Sequence, residues 1–473
     1  MTRIHEALFV ATASMANFLC QCALGLALAP IELIAADFKV TNPGQQSWFI
    51  AAFSLTAGTF ILISGRAGDI LGHKRAFCFG YLFLGIWSAF AGFAVYPQRQ
   101  IFFDVCRAMQ GIGCAILMPN SLALLGKAYA PGLRKNLVFS IFGACAPIGF
   151  VAGAVFGSLL AQLAWWPWAF WAYAIASFTL CLLGLIVTPK PLSQLPSHRP
   201  SFDWAGSVLG VAGMVLINIS FNNGPLYGWN TPHVYFGLII GLILIAGFAW
   251  AESLASNPLI PKQALNSTTA FILACLALGW GSFGVWVYYA FRFLEVVRHH
   301  TPLLASAEFT PVVVATLFAS GFTGLMLTHT PVSFVMLVSM IGFFLGTVLV
   351  GTMPIHQNYW YQTFFGIIIM PFGMDMSFPA ATVILSNSMP REHQGLAAAF
   401  VTTVMNYAVS LSLGIAALVE AKTMTGDGSV EDTKRGIFHA SLVGICMAGL
   451  AVALAGVFFG KRMMKEGWRV EQH

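Results

Sequence analysis

The sequence predicts an all-α integral membrane protein of fourteen transmembrane helices. Three observations predict it. Charged residues make up 8% and apolar residues 58% of the 473 positions, where a soluble domain carries about 25% charged. The apolar residues fall in blocks of roughly 20, the length that crosses a ~30 Å hydrocarbon core at 1.5 Å per residue. The loops on one side carry roughly twice the Lys and Arg of the other, the positive-inside asymmetry. The formal net charge of +6 is spread over short loops, which excludes a nucleic-acid partner.

The spans follow in order. Seven residues precede span 1 (8–34), lightly basic and unlike a cleavable signal. This span carries Asn17 and Gln21, four apart on one face. Spans 2 (47–65) and 3 (76–95) flank the polar run Gly65-Arg-Ala-Gly-Asp69-Ile-Leu-Gly72-His-Lys74-Arg75. There Gly65 is expected to permit close backbone approach and Gly72 a tight turn. Asp69 can sit at the positive end of a neighbouring helix, and Lys74 and Arg75 hold the turn in the cytoplasm.

Span 4 (101–125) contains Arg107 and Gln110 on one face, continued by Cys114. An arginine in a span costs about 2.5–3.5 kcal/mol on insertion scales, so it must face inward. Asp104, one turn earlier, is a candidate partner for it. Span 5 (137–161) carries Gly149, Gly153 and Gly157 as a stripe suited to close helix packing. Span 6 (166–188) leads into Pro189–Ser201, whose four prolines mark a linker.

Spans 7 (204–222) and 8 (234–252) follow, with Asn218 an expected interhelical hydrogen-bond partner. Span 9 (268–291) holds Trp280, Trp286 and Tyr288 and ends in Arg292 and Glu295. Spans 10 (303–327) and 11 (332–352) are almost wholly apolar. Span 12 (359–385) places Asp375 between helix-disturbing Pro371 and Pro379. Span 13 (394–420) contains Asn406, a second expected interhelical partner. The loop after it mixes Lys422, Lys434 and Arg435 with Glu420, Asp427, Glu431 and Asp432, and span 14 (437–459) closes the series.

Gly113–Pro119 in span 4 resembles Gly373–Pro379 in span 12. The match pairs the fourth helix of one bundle with the fourth of another, as duplicated halves require. The expected domains are a six-helix bundle (1–188), a linker with a two-helix insert (189–262), a second six-helix bundle (263–460) and a cytoplasmic tail (461–473). The nine cysteines lie in apolar runs without a CxxC pair, which points to packing rather than to disulfides or zinc. No metal site and no cofactor is expected.

The Gly65–Arg75 run and Arg107-Ala-Met-Gln-Gly-Ile-Gly113 resemble the signature loop and span 4 motif of the major facilitator superfamily. With fourteen spans and the partial span 5 signature around Ala146-Pro147, the chain is similar to the fourteen-span drug:proton antiporter branch. Asn17 through Pro30 looks like fungal aminotriazole-resistance, boron-efflux and low-affinity ammonium transporter-like proteins. The resemblance implies secondary active transport by alternating access, with proton-coupled efflux of small organic compounds, drugs or metabolites. A carrier for borate or ammonium is the alternative.

It further implies a monomer in the plasma membrane, with the vacuolar membrane an alternative, and a loop at Gly65–Arg75 that latches the halves. Spans 1, 4, 9 and 12 then line the pathway, which makes Asn17, Gln21, Arg107, Gln110, Trp280, Tyr288 and Asp375 the substrate and proton residues. Many relatives in this branch carry an acid in span 1 where Gln21 stands. A carboxyl isolated in a low-dielectric helix has its ionised form disfavoured, so Asp375 is expected to exchange the proton instead. The second-half copy of the signature loop, Gly324–Pro331, keeps only His329. No catalytic set is expected, because the only adjacent histidines, His299-His300, sit in a loop. A non-transporting sensor would add a long cytoplasmic domain, and only about a dozen residues follow span 14.

Overall fold

Every backbone group of a lipid-immersed segment must bond within the protein, and helices satisfy that requirement locally. The computed structural model describes residues 2–130, 132–189, 203–254, 266–387, 395–426 and 429–468, all helical or connecting, with no strand among them. Fourteen helices are long and apolar enough to cross a membrane. The Pro189–Ser201 linker lies outside the described residues except for its first, and Asp427 and residues 469–473 also lie outside them.

The chain divides into two compact units, residues 1–215 with 244–257 and residues 216–243 with 258–473. Unit 1 contains α1 (Arg3–Leu28), α2 (Ile31–Asp37), α3 (Pro43–Leu71), α4 (His73–Phe93), α5 (Gln100–Ala128), α6 (Leu133–Leu163) and α7 (Pro167–Val187). The pair α8 (Trp204–Tyr227) and α9 (Pro232–Leu254) spans the division. Unit 2 contains α10 (Ser267–Arg292) with a π-helical turn at Phe293–Val297, α11 (Pro302–Glu308), α12 (Pro311–His329), α13 (Val332–Gly351), α14 (Gln362–Asn387), α15 (Gly395–Thr423) and α16 (Val430–Glu466).

The spans stand where hydropathy places them, but several ends differ. The signature run is not an extended loop: α3 continues to Leu71, α4 starts at His73, and the turn is Gly72 alone at φ 94°. Hydropathy ends a span at the first polar residues, whereas backbone hydrogen bonding carries the helix through them, here to Gly72 N–H on Gly68 O at 2.9 Å. Span 1 ends at Leu28 and hands over to the short α2. Span 10 breaks at Phe309–Thr310, where Pro311 opens α12. Pro371 and Pro379 do not interrupt α14. Helix α16 extends to Glu466, into the segment expected as tail.

Glycines decide how closely the helices of unit 1 approach. A Cβ at Gly149, Gly153 or Gly157 would stand 2.2, 2.2 and 2.9 Å from the carbonyl oxygens of Phe18, Cys22 and Leu26. Gly25 of α1 answers with Phe150 O at 2.2 Å. The stripe is therefore the seam between α1 and α6.

The internal repeat also has a physical counterpart in each unit. A Cβ at Gly113 would meet the Leu84 backbone of α4 at 3.2 Å, and one at Gly373 the Phe343 nitrogen of α13 at 2.9 Å. Equivalent glycines thus seat span 4 on span 3 and span 12 on span 11.

Candidate functional site

In unit 1, α5 carries Arg107 into full burial. Its Nε donates to Phe49 O of α3 at 2.9 Å, its Nη1 donates to Gln110 Oε1, and the guanidinium lies 4.8 Å from the Phe53 ring. Gln110 Nε2 then donates to Ser88 Oγ of α4 at 2.9 Å, and Ser88 to Leu84 O. One polar chain thus ties α3, α5 and α4 together. Arg107 does not pair with Asp104, whose Oδ1 accepts no hydrogen bond from a described residue. The Phe49 carbonyl and the Gln110 amide oxygen take the guanidinium instead, so the expected Asp104–Arg107 pair is replaced by neutral acceptors.

Asn17 is buried and donates from Nδ2 to Phe142 O of α6 at 2.8 Å, while its Oδ1 accepts nothing from a described residue. Gln21, one turn on, is half-buried. Cys114 is buried, and its carbonyl lies 3.9 Å from Cys20 Sγ. Among the described residues all nine cysteines are free thiols.

At the turn between α3 and α4, Asp69 Oδ1 lies 3.3 Å from His73 Nε2. His73 Nδ1 meets Asn120 Oδ1 at 2.9 Å, and Asn120 Nδ2 donates to Ile116 O at 2.7 Å. Lys74 Nζ donates to Thr188 O at 3.1 Å, and Arg75 is exposed. The close approach falls at Gly68, where a Cβ would collide with Asn120, rather than at Gly65, where the nearest atom is Pro119 Cβ at 3.6 Å. The turn is thus bonded to α5 and to the end of α7 within its own unit.

In unit 2, Asp375 sits half-buried on α14 with the Thr316 hydroxyl of α12 beside it. Its Oδ2 is buried and accepts no hydrogen bond from a described residue. Two residues on, Ser377 Oγ accepts from Trp280 Nε1 at 3.1 Å, and Trp280 packs edge-on against Phe283 and Phe343. Asp375 and Trp280 therefore engage different faces of α14.

Tyr288 is fully buried, with the Arg292 guanidinium 5.9 Å from its ring centroid. Asn218 bridges to α15 as expected, accepting from Ser410 Oγ at 2.9 Å. Asn406 instead donates to Thr402 O within its own helix.

Sequence reasoning missed the ionic centre of unit 2. Glu420 is not a loop acid: it is wholly buried on α15, its Oε1 3.3 Å from Arg292 Nη2 and its Oε2 accepting from Tyr289 at 2.9 Å. The signal available was depth. Arg292 and Glu420 each close an odd-numbered span, so they reach the same face, where an arginine and an acid at one level can pair.

A family model described as Major Facilitator Superfamily matches residues 10–412. The chain is 50% identical to the low affinity ammonium transporter of Saccharomyces cerevisiae, covering 99% of this chain and 91% of that one. It is 42% identical to efflux pump terJ of Aspergillus terreus, over 96% and 88% of the two chains, and 36% identical to the aminotriazole resistance protein of Saccharomyces cerevisiae, over 98% and 85%. Among solved structures, a POT family transporter in complex with 5-aminolevulinic acid superposes with a TM-score of 0.69 at 12% identity, over 97% of this chain and 96% of that one.

Proposed function

The chain belongs to the Major Facilitator Superfamily, and we propose that this multi-pass membrane transporter exports small organic compounds in exchange for protons. The observation that carries the proposal is Asp375. It is a carboxyl inside an apolar span, with no described cation at ion-pair distance and one buried oxygen that accepts no hydrogen bond from a described residue. Low dielectric penalises its charged form, so proton loss there is coupled to whatever brings water or a cation to it. The efflux pump and aminotriazole-resistance relatives support the outward direction. Asn17, Gln21, Arg107, Gln110, Trp280 and Tyr288 complete the proposed pathway, and the Gly65–Arg75 turn remains the proposed latch. The protein works as a monomer in the plasma membrane, as a carrier without enzymatic chemistry.

The test is reconstitution into vesicles with an imposed pH gradient and aminotriazole as the probe. Wild-type protein should accumulate it against its gradient. Asp375→Asn should abolish gradient-driven accumulation while exchange at equal pH persists. Undiminished gradient-driven accumulation by Asp375→Asn refutes the assignment.

A second reading is supported by the 50% identity to the low affinity ammonium transporter and by neutral Gln21 in span 1. It is transport of a small solute such as ammonium or borate. Labelled methylammonium in the same vesicles separates the two readings by the direction of net flux.

A further inference from the structure

Where α10 ends, unit 2 gathers ionisable side chains that the proposed coupling role does not use. Three carboxylates are buried there, Glu295, Glu308 and Glu420, against two guanidiniums, Arg292 and Arg298. Arg292 is bound to Glu420. Arg298 donates from Nη1 to Thr363 Oγ1 at 3.1 Å and from Nη2 to Pro354 O at 2.8 Å. Among the described residues, the basic group at ion-pair distance from Glu308 is His300, whose Nδ1 lies 3.2 Å from Oε1. A protonated imidazole there gives Glu308 a counter-charge, and histidine is the side chain whose charge changes between pH 5 and 8.

The local backbone is built to present this pair. His300 N–H donates to Leu294 O at 2.9 Å, and His299 takes a left-handed φ of 57° to turn the chain there. Thr301 caps α11, accepting from Leu304 N–H at 3.3 Å, which sets Glu308 at the far end of the same short helix. The Tyr359 hydroxyl donates to the Glu308 carbonyl at 2.6 Å. Glu308 Oε2 is buried and accepts no hydrogen bond from a described residue. The groups facing the pair are Arg298 from its own segment and Tyr359 from the α13–α14 connection.

We propose that His300 and Glu308 form a proton-binding site separate from Asp375, on the outer face when the N-terminus is cytoplasmic, and that its occupancy fastens α11 to the end of α10. Loss of the proton removes the charge that holds Glu308, and α11, hinged at the Phe309–Thr310 break, is released. The site goes beyond the coupling role proposed for Asp375, and its test does not require transport.

A spin label at Leu304→Cys, an exposed position on α11, reports the fastening directly. The protein is purified in lipid nanodiscs with Cys145 and Cys446, the thiols that are not buried, replaced by serine. Paramagnetic resonance spectra are then recorded from pH 5 to 9. The label should be restricted at pH 5 and mobile at pH 9, with one transition that superimposes in sodium, potassium and ammonium buffers. His300→Arg should hold it restricted throughout, and His300→Gln and Glu308→Gln should leave it mobile throughout. An unchanging wild-type spectrum, a transition surviving in His300→Gln, or a transition that moves with the buffer cation overturns the proposal.

Discussion

Gly153→Ala sets one methyl group against the seam between α1 and α6. The added Cβ would lie 2.2 Å from Cys22 O, 2.8 Å from Cys22 Cα and 2.9 Å from Cys22 C, where ordinary contact begins at 3.4 Å. All three are backbone atoms, so no side chain can swing clear, and α1 must retreat by about an ångström. Overpacking of this kind costs about 1–3 kcal/mol. Alanine returns at most about 1 kcal/mol in helix propensity, so the net change is a loss. With the propensity return subtracted the net loss is up to about 2 kcal/mol, which at about 2–4 °C per kcal/mol lowers the midpoint of thermal unfolding by up to about 8 °C.

The assay is thermal unfolding of the detergent-purified protein followed by thiol-reactive dye or light scattering. Three companions calibrate it. Gly149→Ala meets Phe18 O at 2.2 Å and should match Gly153→Ala. Gly157→Ala meets Leu26 O at 2.9 Å and should lose less, and Gly143→Ala meets nothing within 4 Å and should be neutral or slightly stabilised. A Gly153→Ala protein as stable as Gly143→Ala would refute the seam as the reason for the stripe.

Other outcomes follow from the same geometry. Glu420→Gln leaves Arg292 buried without its counter-charge, a loss of about 3–5 kcal/mol, whereas Arg292→Leu with Glu420→Leu should cost less than the two single changes together; additive unfolding midpoints would show that the pair is not coupled. Tyr129, in the turn after α5, is pushed up to about 12 by burial and by its hydrogen bond to Glu6. A raised phenol binds its proton more tightly folded than unfolded, so its contribution is full below pH ~10 and lost as pH rises toward about 12. Alkaline difference absorbance should show Tyr129→Phe removing one late-titrating phenol and Glu6→Gln moving that step toward ~10; an unmoved step in Glu6→Gln would exclude the hydrogen bond as a cause.

Some residues announce their role by chemistry alone and others only by place. Arg107 was legible as an inward-facing cation because a charge in hydrocarbon is costly wherever it sits. Its acceptors were not legible, since Phe49 O is a backbone atom 58 residues away and no composition signal marks a carbonyl. The stripe Gly149, Gly153 and Gly157 was visible as a spacing, but that spacing fits any neighbour. Gly25 on α1 names the neighbour only once the two helices are side by side. Glu420 read as a loop acid because it closes an apolar run, where hydropathy falls whether or not the side chain is buried.

The sequence by itself determined the number of spans, the two-fold recurrence of Gly113 and Gly373 and the rarity of charge, because the cost of placing a polar group in lipid is paid residue by residue. Tertiary structure alone decided that Arg292 meets Glu420, that His73 links Asp69 to Asn120 of α5, and that Asp375 faces Thr316 rather than Trp280. Hydropathy is a sum along the chain and survives any packing arrangement. A pair contact depends on how each helix is rotated about its axis and on its depth in the bilayer, and only the neighbouring helices set those.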